Sequence, residues 1–489
     1  MSSGWRWIVG TLLTATFLTW TAFAGIPALG QSEVSTQALP RVEYLGNLTL
    51  APDHGRPGTV VTATGIGLPA NAGMELVWTS VKGQWVVKGR HNEEFHGRRF
   101  EPVDRQLRRV TTDGGGRFQT TFVAPEDFGF NHDVLLMQEG VIRNQAGFGI
   151  DMQVSMSPTS GPPGTPIRVV ARGIGWQNME NSWMLLYDNR FTGWISAVTT
   201  RGRADFRLPA TGRPGKHIIQ IVHGSFTFPY MNMQQSPRPD RPTFAFEFTV
   251  TDGAPIMPPT APSQGLAGRL GTVPPGSGPG IWTDIASGPV GTPFRILGRG
   301  LPPGQTVEFT WSSTVGNRVS GDGWADSSDA LSKAVVDDAG ALSLRVKVPD
   351  DLGGPHAITA RISSKTVAET AFILTPSAVA LETSSGPAGT TIKVHLKGVG
   401  WTETANIYHV VYDNAYIGYA CGFNTQGDVQ IFLKATGEPG WHFIDLYPGI
   451  YKGKDVPGVQ NFRIPQLSYA ADHPGERLPA FRFAFLVTK

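Results

Sequence analysis

The chain has 489 residues, of which Gly (60) and Pro (38) make up about one in five, while only 16% are charged. This turn-rich composition still includes 40% hydrophobic residues and 13 Trp, so it excludes wholesale disorder and predicts several packed domains. The formal net charge of +2 excludes the strong positive field that nucleic acid attracts, and we expect no nucleic-acid partner. The lone Cys421 excludes an internal disulfide and predicts a small core residue.

The N-terminal segment has the composition of an export signal. Arg6 is followed by an uncharged, largely apolar run over residues 7–32, with a small residue at Ala24. This pattern predicts a signal peptide over residues 1–24, cleaved after Ala24 or later near Gly30. The run is also long enough to span a bilayer, so an uncleaved anchor is the alternative and the only membrane contact that we expect. Either way, the remaining chain is exported and is secreted, periplasmic or at the cell surface.

Internal repeats follow this segment. The motifs Gly-Pro-x-Gly-Thr, Gly-x-Gly-Trp, Tyr-Asp-Asn and Ala-Thr-Gly recur in the same order at an offset of 225 residues, without a gap. Their first copies begin at Gly161, Gly173, Tyr187 and Ala210. Upstream of each copy lies a second related unit, because residues 57–78 match residues 290–311 at an offset of 233. The chain is therefore a duplicated pair of units, A1-B1-A2-B2.

The repeating units have the pattern of β-sandwiches. Each places a His before an alternating apolar strand, as in His217-Ile-Ile-Gln-Ile, and closing strands such as Phe244-Ala-Phe-Glu-Phe carry aromatic residues on one face. Frequent turn signals and the lack of a convincing long helix predict an all-β fold of four tandem Ig-like β-sandwich domains. The predicted bounds are 42–152 for A1, 153–251 for B1, 281–375 for A2 and 376–489 for B2. A Pro/Gly-rich linker over 252–280 predicts that the two halves move as separate bodies.

The turn pattern resembles that of a known family. In A2 it consists of Gly288-Pro-Val-Gly-Thr292, Gly298-Arg-Gly-Leu-Pro302, Asp337-Asp-Ala-Gly340 and Gly354-Pro-His356. This pattern is similar to the bacterial Ig-like and IPT/TIG-like repeats of exported and cell-surface proteins, and it covers residues 42–489. The resemblance implies a non-catalytic, extracytoplasmic role in binding, adhesion or scaffolding.

Two copies of the Tyr-Asp-Asn motif lie between predicted strands. Asp-Asn favours a hairpin turn because both residues tolerate left-handed backbone angles. The alternative is sugar binding by the Asp and Asn side chains, flanked by Trp194 in one copy and by Tyr416 and Tyr419 in the other. The candidate binding residues here are Tyr187, Asp188, Asn189, Tyr412, Asp413 and Asn414.

The last long loop of each B unit is the second candidate site. It begins near Phe226 in B1 and spans 447–469 in B2, where it is about twelve residues longer. In an Ig-like sandwich this loop lies at one end of the domain, where binding surfaces are commonly built. Aromatic and Met side chains there predict contact with a protein or glycan partner, and packing against the neighbouring A unit is the alternative. The candidates are Phe228, Tyr230, Met231, Tyr447 and Tyr451.

The remaining motifs favour structural interpretations. Residues 208–212 match a sortase signal but lie mid-chain, and residues 91–96 lack the His spacing of a zinc site, so no metal is expected. The basic segment 88–109 is either a solvated excursion or a loop that docks an acidic partner. One His precedes a strand in every unit, with no shared nucleophile, and we expect all four to be structural. They are His132, His217, His356 and His442.

Together these observations predict a non-enzymatic protein of adhesion, scaffolding or assembly that needs no cofactor. The alternative is a carbohydrate-binding module. A hydrolase with an unrecognised site, in which Asp413 would take part, is the third hypothesis.

Overall fold

The computed structural model describes residues 42–89, 94–225, 228–236, 241–258, 278–317, 323–451 and 464–489. Within them the chain is all β apart from turns and two short 3-10 helices, Met233–Gln235 and Phe423–Thr425. It forms four Ig-like sandwiches, which confirms the predicted fold class. The predicted signal peptide and most of the predicted linker lie outside the described residues. No helix in the described ranges is long and apolar enough to cross a membrane.

The first half of the chain contains strands β1 to β17. Those of A1 are β1 (Asn47–Ala51), β2 (His54–Gly55), β3 (Val60–Ile66), β4 (Gly73–Lys88), β5 (Glu94–Thr111), β6 (Phe118–Val123), β7 (Phe130–Gln138) and β8 (Val141–Ile150). Those of B1 are β9 (Gln153–Ser157), β10 (Ser160–Gly161), β11 (Pro166–Arg172), β12 (Trp183–Tyr187), β13 (Arg190–Ile195), β14 (Ala204–Pro209), β15 (Gly215–Ser225), β16 (Phe228–Pro229) and β17 (Phe244–Val250).

The second half contains β18 to β33. Those of A2 are β18 (Gly280–Thr283), β19 (Ser287–Gly288), β20 (Pro293–Arg299), β21 (Thr306–Asn317), β22 (Gly323–Val335), β23 (Leu342–Lys347), β24 (Gly354–Ile362) and β25 (Lys365–Leu374). Those of B2 are β26 (Ser377–Val379), β27 (Ser385–Pro387), β28 (Thr391–Lys397), β29 (Ile407–Tyr412), β30 (Ala415–Cys421), β31 (Val429–Lys434), β32 (Gly440–Gly449) and β33 (Phe481–Thr488).

All four sandwiches have one topology. A three-stranded sheet, ordered β1-β3-β6 in A1, faces a five-stranded sheet, ordered β2-β8-β7-β4-β5. The same order by position recurs in B1, A2 and B2, where B1 adds only the short β16. The second strand of each unit pairs in parallel with its last strand. The fifth strand, β5, β13, β22 or β30, therefore ends the larger sheet in every unit.

The repeated Gly-Pro-x-Gly-Thr motif forms the turn between the second and third strands. Its second glycine has a positive φ, 83° at Gly164 and 93° at Gly389, which a residue with a side chain adopts at a cost. The Thr165 hydroxyl donates to the Pro162 carbonyl at 2.6 Å. The Gly164 amide donates to the Ala210 carbonyl at 2.8 Å and ties the turn to the end of β14. The Gly and Pro excess of the sequence thus marks turns that join the two sheets.

A Trp-Asp-His cluster fills the end of each A domain. Trp78 is fully buried, donates from Nε1 to Asp127 at 3.0 Å, and stacks on His132 with ring centroids 4.5 Å apart. The ring nitrogens of His132 lie 2.8 Å from two main-chain carbonyl oxygens, those of Thr79 and Phe128. The cluster recurs in A2 as Trp311, Asp351 and His356. These two histidines are structural, as expected.

Paired glycines hold each A domain against its B domain. The Gly129 amide donates to the Ile174 carbonyl at 3.1 Å, and a Cβ at Gly129 would lie 1.7 Å from the Gly173 oxygen. In the second half, a Cβ at Gly353 would lie 2.1 Å from the Gly398 oxygen. Since neither position has room for a side chain, the A and B backbones approach at the same place in both halves.

The two halves pack against each other, so the expectation that they move as separate bodies is wrong. Val411, Tyr447 and Leu467 of B2 belong to the same buried cluster as the core of B1. A further cluster joins Phe95 of A1, Trp194 of B1 and residues of B2. Linker composition predicts the freedom of the linker alone, whereas apolar surface shared between B1 and B2 couples the halves.

Cys421 is a second correction. The sequence predicts a core residue, but its side chain is exposed. It ends β30, on the face that also carries the exposed Ile417 and Tyr419. The alternation of strand side chains therefore directs it outward.

Candidate functional site

The first Tyr-Asp-Asn motif forms the hairpin turn between β12 and β13, which confirms the predicted turn. Asp188 and Asn189 have φ values of 49° and 62°, the left-handed pair that tight hairpins require. The Asp188 carboxylate accepts hydrogen bonds from His217 Nδ1 at 2.6 Å and from the Ile218 amide at 2.9 Å. The carboxylate is therefore engaged within its own domain.

Tyr187 and His217 complete this cluster. The Tyr187 ring is fully buried, and its hydroxyl donates to the Thr211 carbonyl at 2.8 Å. Burial raises the pKa of Tyr187 to about 12. The second ring nitrogen of His217 lies 2.8 Å from the Arg213 carbonyl oxygen. Since acceptors occupy both nitrogens, this His-Asp pair has no ring nitrogen open to take a proton from a substrate.

The second motif repeats the arrangement in B2. Asp413 and Asn414 have φ values of 47° and 59°, and Asp413 accepts from His442 Nδ1 at 2.5 Å and from the Phe443 amide at 2.9 Å. The Tyr412 hydroxyl donates to the main chain as Tyr187 does in B1. Burial lowers the pKa of His442, but the hydrogen bond and charge of Asp413 outweigh it, so the pKa is raised overall.

The two turns differ in their surroundings. Asn189 is exposed, whereas Asn414 is fully buried against B1. The Asn414 side-chain amide donates to the Pro209 carbonyl at 2.9 Å and to the Thr211 hydroxyl at 3.0 Å. The Thr192 hydroxyl donates to the Asn414 carbonyl at 2.5 Å. The turn of B2 is thus a docking point between the halves, although the motif is the same as in B1.

The candidate residues of the B1 loop are largely accessible. Phe228 and Met231 are 56% and 78% exposed, and Tyr230 is half-buried. The Phe228 ring meets that of Phe191 edge-on at 5.7 Å. The Tyr230 amide donates to the His223 carbonyl at 3.1 Å and fixes the loop to β15. Apolar side chains therefore project from an anchored loop at one end of B1.

The candidates of the B2 loop lie in a more crowded environment. Tyr447 is buried in the cluster shared with B1, and burial raises its pKa. The Tyr451 amide donates to the Glu403 carbonyl at 2.9 Å, and its ring stacks on Tyr419 at 6.3 Å. The predicted alternative, packing against the A unit, does not describe Tyr447, which packs against B1. Residues 452–463 of this loop lie outside the described residues.

The end of the B2 loop lies along the edge of B1 and forms an isolated β-bridge with it, which the sequence did not predict. We call residues 464–472 the strap. The Trp194 amide donates to the Pro465 carbonyl at 2.8 Å, and the Leu467 amide donates to the Trp194 carbonyl at 2.9 Å. This forms a parallel bridge between Trp194 and Gln466. The Ser196 amide then donates to the Ser468 hydroxyl at 2.8 Å. The strap thereby covers the edge strand β13.

The carboxylate of Asp472 anchors the strap. Asp472 is fully buried and accepts from the Val198 amide at 2.7 Å and from the Thr199 amide at 2.9 Å. Trp85 Nε1 of A1 donates to the same carboxylate at 3.0 Å. Burial lowers the pKa of nearby Arg98 to about 10, an effect that the charge of Asp472 opposes. One side chain of B2 thus binds both A1 and B1.

The basic segment predicted as an exposed loop is mostly strand β5, which belongs to a long hairpin with β4. The Phe95 amide donates to the Glu403 carboxylate of B2 at 2.7 Å, and Arg98 donates to Asn181 of B1 at 2.9 Å. Phe100 is buried against Trp176 at 5.8 Å. This hairpin therefore contacts both B domains. Residues 90–93 lie outside the described residues, and in the described ranges no three His, Cys, Asp or Glu side chains cluster as metal ligands would.

Comparisons with known proteins add little detail to this geometry. No family model matches the chain, and no curated protein matches it. Among solved structures, a Salmonella alpha-2-macroglobulin covers 91% of this chain at 8% identity and a TM-score of 0.19, with 31% of its own length aligned. The chain spans less than half the length of the alpha-2-macroglobulin chains that it matches.

Two further solved structures match the chain at similarly low sequence identity and TM-score. A putative membrane anchored protein from Corynebacterium diphtheriae covers 67% of this chain and 91% of its own, at 11% identity and a TM-score of 0.18. The Yersinia pseudotuberculosis adhesin InvE covers 49% of this chain and 66% of its own, at 11% identity and a TM-score of 0.19. The Ig-like assignment therefore rests on the strand order of this chain, and the narrower IPT/TIG-like assignment stays a prediction.

Proposed function

We propose that this chain is an exported, non-catalytic Ig-like protein that acts in adhesion, scaffolding or assembly at the cell surface or in the periplasm. The proposal rests on a difference between the loops of the two B domains. The end of the B2 loop packs against B1, whereas the loop at the end of B1 is exposed. Phe228 and Met231 are more than half exposed, yet hydrogen bonds fix the loop that bears them. Exposed apolar side chains grouped at the end of a domain are typical of protein contacts.

The histidines support a non-catalytic role. His217 and His442 each have a carboxylate on one ring nitrogen and a carbonyl on the other. A general base needs one nitrogen within reach of a substrate proton. Asp413, the residue that the hydrolase hypothesis would use, is the carboxylate that bonds to His442 in this arrangement.

A surface-binding measurement tests the proposal. Purified full-length protein, labelled at its amines, is titrated onto cells of the source organism, and the Phe228→Ser/Met231→Ser double variant is compared with Phe432→Ser. Phe432 is 64% exposed on β31 and lies outside the B1 loop, so it is the matched control. We expect the double variant to bind at least about tenfold more weakly. Equal binding of all three proteins would overturn the assignment of the loop.

A row of rings in the second half favours glycan binding as a second candidate. Successive ring centroids are 5.6 to 6.3 Å apart. The row consists of Trp401, Trp324, Phe423, Tyr451 and Tyr419. A soluble glycan that stacks on these rings should raise the melting temperature of the protein, and the Tyr419→Ala variant should lose that shift. An unchanged melting temperature across a panel of glycans would exclude this candidate.

A further inference from the structure

The four strands that end the larger sheets are protected in different ways. An edge strand exposes unpaired N–H and C=O groups, and charged side chains along it oppose pairing with another chain. Strand β5 carries Arg105 and Arg108, and β22 carries Asp326, Asp329 and Lys333. The edge of β13 is covered by the strap. Three of the four edges are therefore charged or covered.

Strand β30 has neither form of protection. Its sequence, Ala-Tyr-Ile-Gly-Tyr-Ala-Cys, contains no charge. Ile417 and Tyr419 are 52% and 56% exposed, and Cys421 is exposed as well. Outside its ladder with β29, no main-chain hydrogen bond to Tyr419 is found among the residues that the structure describes. This edge is uncharged, apolar and accessible.

The repeat shows which groups of β30 point outward. Tyr419 lies 225 residues after Trp194, whose amide and carbonyl both bond to the strap. The registers agree, since Trp194 pairs with Met184 on β12 and Tyr419 pairs with His409 on β29, also 225 residues apart. The main-chain amide and carbonyl of Tyr419 therefore point away from β29, toward the outer edge of the sheet, as those of Trp194 point away from β12 toward the strap.

The glycine that precedes Trp194 or Tyr419 has no side chain and so leaves space for a segment that pairs with the edge. A Cβ at Gly193 would lie 2.5 Å from the Pro465 oxygen and 3.0 Å from the Leu467 side chain, so the strap passes directly over it. The equivalent position, Gly418, has no described atom within 4 Å of a Cβ. The space that the strap occupies in B1 is thus present in B2, where no described residue fills it.

We propose that β30 binds an extended, uncharged segment of a partner protein by parallel strand addition. Tyr419 exchanges two main-chain hydrogen bonds with the segment, and an aliphatic side chain lies over Gly418 as Leu467 lies over Gly193. The occupant that we propose is a segment of another protein, since two β30 strands related by a twofold axis would pair antiparallel and would not reproduce the parallel geometry of the strap. The inference goes beyond the B1 loop of the proposed function, because it adds a second contact site, on B2, with its own mode of recognition.

A peptide copy of the strap tests the proposal. A fluorescent peptide with the sequence of residues 464–470 is titrated into the full-length protein, and a second peptide carries an N-methyl group on the residue equivalent to Leu467. We expect saturable binding of the first peptide. Because methylation removes the amide that donates to the edge carbonyl, the second should bind at least about tenfold more weakly. On binding, the Tyr419 and Cys421 amides should exchange hydrogen more slowly.

Edge variants locate the bound peptide. Ile417→Lys combined with Tyr419→Lys places two charges on the edge and should weaken binding at least about tenfold. The control, Phe432→Lys, introduces a charge at another exposed apolar site of B2 and should leave binding unchanged. Circular dichroism and melting curves of each variant establish that it is folded before binding is compared.

The inference would be overturned by the absence of saturable peptide binding, by equal binding of the edge variant, or by self-association through β30 that competes with the peptide. Binding of a glycan but not of the peptide, lost in the edge variant, would also overturn it in favour of the glycan candidate. Since the surface-binding measurement uses Phe228 and Met231 of B1, either proposal can fail without the other.

Discussion

B1 and B2 have the same strand order and the same Tyr-Asp-His cluster, yet their outer edges differ. The edge of B1 carries the strap, whereas among the described residues no equivalent segment bonds to the outer edge of β30 in B2. The segment that makes this difference belongs to the longer loop of B2 and reaches back across the domain boundary. Two domains with the same strand order therefore differ through one loop, whose described end, the strap, joins the second half to the first and covers β13.

Asp472→Ala should have the largest effect, because it removes the anchor of the strap. The substitution leaves the Val198 and Thr199 amides and Trp85 Nε1 without their acceptor. Breaking such a buried charged contact costs about 3 to 5 kcal/mol of the free energy of unfolding. Urea denaturation measures the loss, and the exposed Asp338→Ala is the control. A result equal to that of the control would show that the strap does not depend on this carboxylate.

Gly193→Ala should displace the strap by steric overlap. The new Cβ would lie 2.5 Å from the Pro465 oxygen, so either the strap or β13 must shift. Overpacking of this kind costs about 1 to 3 kcal/mol. Limited proteolysis should then cleave within residues 464–472 sooner than in the wild type. The control is Gly147→Ala, where no described atom lies within 4 Å of the new Cβ, and it should leave the rate of cleavage unchanged. Equal rates of cleavage for the two variants would refute the close contact between Gly193 and the strap.

The β-sandwich domains could be predicted from the sequence because the sequence patterns that indicate them are local. Alternating apolar residues and the Gly-Pro-x-Gly-Thr turn depend on neighbours within a few positions, and so does the Asp188-Asn189 hairpin. The strap depends on residues 272 positions apart, such as Ser196 and Ser468. No local pattern marks that pairing, and the one available signal was the extra length of the B2 loop. The Tyr-Asp-Asn motif shows the same limit of prediction from local sequence. Its first copy places Asn189 in an exposed turn, whereas its second copy buries Asn414 against B1.

His409 offers a way to make B2 more like B1. It is fully buried, its ring nitrogens have no hydrogen-bond partner among the described residues, and the repeat places Met184 at the equivalent position. A buried polar group without a partner costs about 1 to 3 kcal/mol. His409→Met should therefore raise the free energy of unfolding at neutral pH. The exposed His54→Met is the control.

The same variant should change the response to acid. Burial lowers the pKa of His409 to about 3, below the value of 6.5 expected in the unfolded chain, so the unfolded state binds the proton first. Stability that is present above pH 6.5 is then lost as the pH falls toward 3. His409→Met should lose less stability over this range than the wild type does. Identical acid profiles of the two proteins would contradict the burial of the neutral ring.

His442→Gln should have the smallest effect and the opposite pH dependence. Asp413 raises the pKa of His442 above its unfolded value despite the burial of the ring. The stabilisation is therefore complete below about pH 6.5 and is lost as the pH rises through the raised value. Glutamine keeps a donor for Asp413 without the charge, so we expect a loss of about 1 kcal/mol at pH 6 that shrinks by pH 9. A loss that is equal at both pH values would show that shape, and not charge, holds the turn at the junction of the two halves.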